Sequence, residues 1–499
     1  MNVFIHSATA TAVFFFLRRL LEAVTREGAR CRVVLPACMA ATFIWALHPM
    51  RSEAVVWIAS RKEELWALLA LTASTVWIGF VGKGGRLRYW TTFALFALSC
   101  FSKPTAVIFP VLAFLLQKLV RPEMKTPVRK YLPFLAFSAV VGIMAIYSQS
   151  NPSGAERIDL SDTEPSWRLL NAFVSLGLYV FNTFLPVSIH MDYRAVFGGM
   201  PLRAATGAAA LAALTAAIAA FAFFSRDREM KRSVFAACVW YLIAVLPVLG
   251  MLGVTGDKAF ADRYSYMPSV MLSFVAALAI VKTRARLPRL CGLAVCAASA
   301  FVLAMAARPV IASFENDLTA YSRVLESDPG HWRALRMVGR IYAAQEGRTD
   351  EGIDMLKRSL SLRPSRITVE TLTYLLAHRG KGDDFAEVRR LGAAVVRDPA
   401  LDGSGMILDA LGVVSMREGD DRKAVEFFCA SLRAPGRSYT NVYTILNLGL
   451  SLANSGKRFE AVETLAKLHA AGESPARDRA RKALEALRKG SRTRFEWQP

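Results

Sequence analysis

Long apolar runs separated by short charged stretches fill the chain as far as residue 308 and then stop. Crossing a bilayer core of about 30 Å takes roughly 20 apolar residues in a helix. A backbone surrounded by lipid must also satisfy its own hydrogen bonds, so such runs fold as helices. Runs at 3–17, 33–47, 64–81, 89–102, 104–119, 131–147, 202–224, 233–253, 265–281 and 288–307 fit this description and predict about ten transmembrane helices. The fourth and fifth are short yet jointly too long for one crossing, so the chain is expected to turn at Ser102-Lys103-Pro104. At 54% hydrophobic residues, the chain is more apolar than an ordinary soluble domain.

The formal net charge is +22, which in a soluble protein would point to nucleic acid. Here Lys and Arg gather in short loops between apolar runs, where they orient the chain and meet anionic head groups. No nucleic-acid-binding module is recognisable, so membrane lipid is the expected partner and nucleic acid is not. Cationic clusters follow the first run (Arg18, Arg19, Arg26, Arg30, Arg32), the third (Lys83, Arg86, Arg88) and the fifth (Lys118, Arg121, Lys125, Arg129, Lys130). Others follow the seventh (Arg226, Arg228, Lys231, Arg232) and the ninth (Lys282, Arg284, Arg286, Arg289). By the positive-inside rule these connections are cytoplasmic. Segments 48–63, 102–104, 148–201 and 254–264 then share the outer side with everything after residue 308.

Within the outer loop 148–201, residues 168–187 are apolar enough to cross, but a crossing there would put Arg226–Arg232 on the wrong side. Asn171, Ser175 and Asn182 fall on one helical face, which predicts an amphipathic helix on the outer membrane surface. The same parity places Met1 outside, with no signal peptide and no basic residue before the first run. One further helix is therefore expected to precede it in a natural protein of this kind. Seven cysteines, irregularly spaced and without a C-x-x-C pair, indicate neither a disulfide framework nor a zinc site.

After residue 308 the chain is charged and repetitive, with a period of about 34 residues. Leu411-Gly412, Gly419, Ala424 and Phe428 are matched at the same offsets by Leu448-Gly449, Gly456, Ala461 and Leu465. An earlier copy runs Gly339, Tyr342, Gly347, Gly352, Leu356, Pro364 with one inserted residue, and a weaker one ends at Pro399. Small residues let paired helices approach and large ones fill the next groove. Residues 309–475 accordingly read as tetratricopeptide repeats (TPRs), and 476–499 as a polar capping helix, 476–489, with a tail. The expected fold class is all-α: a polytopic transmembrane bundle over 1–308, followed by a TPR α-solenoid. Such repeats bind peptides or partner proteins without specifying one.

Chemistry concentrates in the outer segments. His48-Pro49-Met50-Arg51-Ser52-Glu53 follows the second run, and Ser60-Arg61-Lys62-Glu63-Glu64 opens the third. Cations on the outer side work against the orientation rule, and an anionic ligand is the simplest reason for them. Lys103 sits between two apolar runs, where an ionisable group is a functional candidate by default. Asp262-Arg263-Tyr264 opens another helix on that side, and Asp192-Tyr193 follows the amphipathic one. Cations, carboxylates and lipid access together suit a lipid-linked phosphate substrate, with cations stabilising the departing phosphate and a carboxylate taking a hydroxyl proton. Structural alternatives stay open: Arg61 and Lys62 suit snorkelling to head groups, and Lys103 suits pairing with a helix-end carbonyl or a carboxylate. His48 suits capping, and Asp262-Arg263 a surface pair.

Four stretches, H-P-M-R-S-E-A-V-V-W-I-A-S-R-K-E, L-S-C-F-S-K-P, F-L-P-V-S-I-H-M-D-Y, and V-L-P-V-L-G followed by A-D-R-Y-S-Y-M-P, occur in that order. In this the chain resembles the transmembrane-and-TPR-repeat O-mannosyltransferase-like proteins of the GT-C glycosyltransferase superfamily, over nearly its whole length. The resemblance implies a GT-C-like bundle and transfer of a sugar, typically mannose, from a polyprenyl-phosphate carrier to Ser or Thr hydroxyls of extracytoplasmic proteins, usually with inversion. It implies catalytic roles for Glu53 and His48, and lipid-phosphate contacts for Arg61, Lys62, Lys103 and Arg263. Sugar or acceptor contacts fall to Asp192, Tyr193, Asp262 and Tyr264. No cofactor or metal is expected, the lipid-linked sugar being a substrate, and acceptor proteins would be held through the repeats. The family's principal catalytic acid lies in a first outer loop after a first helix; this chain begins like the family's second helix, which makes Glu53 the best remaining carboxylate. A rival expectation, which the missing loop favours, is a non-catalytic membrane scaffold whose repeats recruit envelope or secreted proteins. Ala- and Arg-rich composition points to a bacterial inner membrane with the repeats in the periplasm, or the lumen in a eukaryote.

Overall fold

The computed structural model describes residues 1–25, 33–125, 127–150, 164–194, 201–250, 260–283, 285–396, 404–434, 442–470, 475–489 and 494–495. Among them every regular element is helical, with no strand. Two compact units divide the chain, Met1–Ser327 and Asp328–Pro499. Arg26, Arg30, Arg32, Arg284, Pro399 and positions 151–163, 195–200 and 254–259 of the outer segments lie outside the described residues.

The first unit contains α1 (Asn2–Thr25), α2 (Val34–Ala46), the short α3 (Ser52–Val56), α4 (Arg61–Lys83), α5 (Arg86–Ser102), α6 (Phe109–Val120) and α7 (Leu132–Ser150). It continues with α8 (Pro165–Phe184), α9 (Pro201–Phe224), α10 (Arg228–Val245), α11 (Val270–Lys282), α12 (Arg286–Ser313) and α13 (Asp317–Ser327). Each of the ten apolar runs contains an α-helix among its described residues. Five stretches of the described residues are long and apolar enough to cross a membrane: Asn2–Thr25, Ile58–Lys83, Arg203–Phe224, Arg228–Val248 and Arg286–Ser313. Val34–Ala46, Pro104–Val120, Leu132–Ser148 and Val270–Lys282 are apolar but shorter. Prolines account for part of the shortening, because the ring cannot continue a helix without losing a backbone bond. Pro49 follows α2, and Pro104 opens a 3₁₀ turn, Pro104–Ile108, ahead of α6.

Aromatic side chains knit these helices together. Phe96 of α5 stacks on Phe109 of α6 with ring centroids 5.3 Å apart, which joins the two halves of the expected turn at Lys103. Trp77 of α4 donates its indole N–H to the Ala113 carbonyl of α6 at 2.8 Å, so its polar edge is satisfied in the core. Away from the turn, Arg121 donates to the Gly82 carbonyl at 2.9 Å, and Lys282 pairs with Asp227 at 2.6 Å and Glu229 at 2.8 Å. Cationic connections therefore meet one another. The 23 residues of α4, about 35 Å at 1.5 Å per residue, run from Arg61 to Lys83, long enough to cross a bilayer core.

Two expectations are corrected. The polar stripe of α8 faces the protein: Asn171, Ser175 and Asn182 are buried, while Trp167, Leu169, Leu170 and Phe173 are exposed. A helix resting on the membrane surface would turn that stripe to water; here the stripe finds partners inside the fold. α8 instead seats on α9 with nothing between the backbones, since a methyl at Gly177 would stand 1.8 Å from the Gly207 oxygen. Residues 308 and 309 are also no boundary. α12 continues through Pro309 to Ser313, and the units part between Ser327 and Asp328. The change at 308 is one of composition.

The second unit is built from α14 (Trp332–Ala343), α15 (Thr349–Leu362), α16 (Arg366–Arg379), α17 (Asp384–Val396), α18 (Gly405–Glu418), α19 (Asp421–Arg433), α20 (Val442–Asn454), α21 (Arg458–Ala470) and α22 (Pro475–Arg488). Consecutive helices pack in pairs, α14 with α15, α18 with α19 and α20 with α21. The repeated glycines lie where the members of a pair touch. A methyl at Gly412 would stand 2.6 Å from Phe428 Cε1, and one at Gly449 2.6 Å from Leu465 Cδ2. A second recurring device links equivalent positions. Ser359 donates to the Trp332 carbonyl at 2.7 Å and Ser431 to the Gly405 carbonyl at 2.6 Å, tying each second helix to the first turn of its partner. α22 packs on α20 and α21 through Ala476, Ala480, Ala483, Leu484 and Leu487.

Candidate functional site

Pro49 stops α2, and the chain then advances in short pieces: Pro49–Arg51, α3, Ile58–Ser60 and α4. This broken path turns Glu53 and Glu63 inward, where both are buried. Across from them, the 3₁₀ turn Asp262–Ser265 precedes α11 and carries Arg263. Extended Lys103 links α5 to Pro104–Ile108. These segments, distant in sequence, form one cluster.

Its centre is a chain of alternating charge. Arg263 Nη1 pairs with Glu53 Oε1, and the Arg263 backbone N–H donates to Glu53 Oε2 at 3.0 Å. Arg263 Nε lies 3.9 Å from Glu63 Oε1, which also binds Lys103 Nζ. Trp66 Nε1 donates to Glu63 Oε2 at 3.1 Å. The guanidinium of Arg263 lies 5.0 Å from the Trp57 ring centroid and 4.8 Å from that of Tyr264, and Lys103 Nζ is 4.9 Å from the latter. Charges buried this way persist only when paired and hydrogen-bonded, and aromatic faces add to the cations' stabilisation.

Asp262 points away from its neighbour Arg263. The Tyr193 hydroxyl donates to its Oδ2 at 2.5 Å, and Asn182 of α8 reaches Oδ1 at 3.5 Å. Burial, helped by the nearby charge of Glu53, pushes the Asp262 carboxyl up to about 7. The guanidinium of Arg203 lies 4.7 Å from the Tyr193 ring centroid. Tyr179 holds the backbone in place, donating to the Ala261 carbonyl at 3.1 Å.

Of the residues singled out from the sequence, Glu53, Lys103, Arg263, Tyr264, Asp262 and Tyr193 come together. Asp192 is buried beside Tyr193 in the chain. Arg61 is half-buried and donates to Asn2 Oδ1 at 3.3 Å, while Lys62 is exposed. Both stand outside the ion-pair chain. His48 takes the capping alternative left open in the sequence. Its Nδ1 accepts from Met50 N at 3.2 Å and its Nε2 lies 3.0 Å from the Thr183 carbonyl. Burial and the charge of Arg51 push its imidazole down to about 4. With both nitrogens engaged, His48 caps a turn and has no free atom for proton transfer.

Three participants escaped selection from the sequence. Glu63 opens an apolar run, and an ionisable residue there is a functional signal. Asn182 was visible only as part of the α8 polar stripe. Arg51, inside the first motif, bonds Ser265 Oγ at 3.0 Å. Among the described residues no group of three or more His, Cys, Asp or Glu is gathered to hold a metal ion. A scan against protein-family models and a search of curated proteins each find no match to this chain.

Proposed function

We propose that this protein is a membrane glycosyltransferase of the GT-C type that moves a sugar, most simply mannose, from a polyprenyl-phosphate carrier to Ser or Thr hydroxyls of extracytoplasmic proteins. The observation that carries this is the meeting of four sequence-distant motifs in one buried cluster of carboxylates, cations and tyrosines next to apolar helices. In the transfer, the acceptor oxygen bonds to the anomeric carbon while the bond from that carbon to the phosphate oxygen breaks, its electron pair leaving with the phosphate. A carboxylate takes the hydroxyl proton, and cations stabilise the leaving group. Glu53 is the carboxylate the first motif offers. Asp262, whose carboxyl sits near 7, is the one already matched to neutral pH.

The paired helices of the second unit, with glycines at their contacts, support a TPR array that holds acceptor proteins. On this reading the array and the cluster share the extracytoplasmic side, the periplasm in a bacterium. Labelled polyprenyl-phosphate mannose and a Ser/Thr peptide, given to membranes containing the full chain, test the activity. Label moving to the peptide is the expected result; none from folded protein overturns it. A scaffold without catalysis is the second reading, favoured by one observation: Glu53 and Glu63 are both occupied by ion pairs. A scaffold would retain its acceptor proteins without consuming the donor.

A further inference from the structure

Helices α2, α8, α9, α10, α11 and α12 enclose a cavity of about 1340 Å³, larger than the roughly 300–1,000 Å³ of most small-molecule sites. Its walls are almost wholly apolar, with Ile44, Val180, Leu214, Leu272 and Val302 typical. Among its lining residues Arg51 alone carries charge, since His48 is held neutral.

Arg51 is 3% exposed. Nη2 has its bond to Ser265, and the guanidinium lies 5.7 Å and 5.6 Å from the Trp45 and Tyr266 ring centroids. Among the described residues, Nε and Nη1 are buried without a hydrogen-bond acceptor. The other two buried cations of the site have carboxylates, Arg263 on Glu53 and Lys103 on Glu63, and Asp262 is engaged by Tyr193 and Asn182. A buried guanidinium with two idle donors and no carboxylate in direct contact among the described residues is costly to hold. An anion beside Arg51 in the apolar cavity removes that cost.

We propose that the cavity holds the hydrocarbon chain of a prenyl phosphate and that Arg51, rather than Arg61, Lys62, Lys103 or Arg263, meets the phosphate. This deepens the glycosyl-transfer reading, on which the choice of phosphate rests, by naming the residue that recognises the donor. The chain supplies apolar contact along α9 and α12, and Nε and Nη1 donate to phosphate oxygens in charge-assisted bonds.

Binding to the full-length protein in detergent tests this without any sugar transfer. Farnesyl phosphate is compared with farnesol, oleate and inorganic phosphate. Farnesyl phosphate is expected to bind best and inorganic phosphate not measurably. Arg51→Met should weaken farnesyl phosphate about tenfold and leave farnesol unchanged, while Arg51→Lys recovers part of the loss. Ala298→Trp, on the cavity wall, should weaken farnesyl phosphate and farnesol alike, and it guards against a folding defect in Arg51→Met. Equal affinity for farnesol and farnesyl phosphate, tighter binding of oleate, or an unchanged Arg51→Met protein overturns the proposal. Binding as expected with no transfer would sink glycosyl transfer alone; transfer with no such binding would sink the cavity assignment alone.

Discussion

Arg263 holds Glu53 twice, through its guanidinium and through its own backbone N–H, the latter at 3.0 Å. One carboxylate thereby fixes both the side chain and the main chain of a turn 210 positions further along the sequence.

Removing one partner of such a pair leaves a buried charge uncompensated. Glu53→Gln is expected to lower stability by about 3–5 kcal/mol and to abolish transfer. Adding Arg263→Met should restore most of the stability and none of the transfer. Thermal unfolding in detergent beside the transfer assay checks this; a double variant no more stable than Glu53→Gln would show that the pair is not the source of the loss.

Lys103 and Lys62 should part company. Lys103 is buried against Glu63 and Lys62 is exposed. Lys103→Ala is expected to cut transfer at least tenfold, because it leaves Glu63 buried without its lysine beside Arg263 and Glu53, and Lys62→Ala to leave it within about twofold. Equal losses in the two variants would show that the buried Lys103–Glu63 pair has no special part in transfer.

Asp262 makes stability depend on pH. Its carboxyl is raised from 3.8 to about 7 by burial and by Glu53, with Tyr193, Asn182 and Arg203 opposing. The folded state thus holds the proton more tightly than the unfolded state. That contribution is complete below about pH 4 and is lost as pH rises through about 7. The midpoint temperature should fall across this window, and Asp262→Asn should flatten the fall. Parallel curves for the two proteins would assign the dependence to another group.

In the second unit, Gly412→Val should push against Phe428, whose ring would stand 2.6 Å from the new Cβ. Overpacking of this kind costs about 1–3 kcal/mol. Hydrogen exchange in 405–433 should quicken to match, and Phe428→Ala in the same chain should reverse part of the effect. Ser431→Ala, losing its bond to Gly405, is expected to cost about 1 kcal/mol.

The positions of the helices were legible because a bilayer-length apolar run and a four-residue polar offset are local patterns. Gly412 and Phe428, like Gly449 and Leu465, were visible as a repeated offset, but only the fold shows each large side chain packed on the glycine of its own pair. Partnership was less legible. Lys103 could be recognised as out of place in an apolar setting, but only the fold reveals Glu63 beneath it. Asn171, Ser175 and Asn182 share a face in any helix, and the sequence pattern has no means of telling water from a protein interior on that side. His48 read as a catalytic candidate or a cap, and only the fold brings the Thr183 carbonyl, 135 positions away, to its second nitrogen. Arg51 resembled its neighbours in the same motif; the absence of an acceptor for Nε and Nη1 is a property of packing.

The bare backbone contact between Gly177 and Gly207 has a mechanical consequence. With no side chain between them, the spacing of α8 and α9 is set by backbone alone, and Tyr179 and Asn182 of α8 reach Ala261 and Asp262 from that position. A bulkier residue at either glycine would therefore part α8 from α9 and draw Tyr179 and Asn182 away from Ala261 and Asp262.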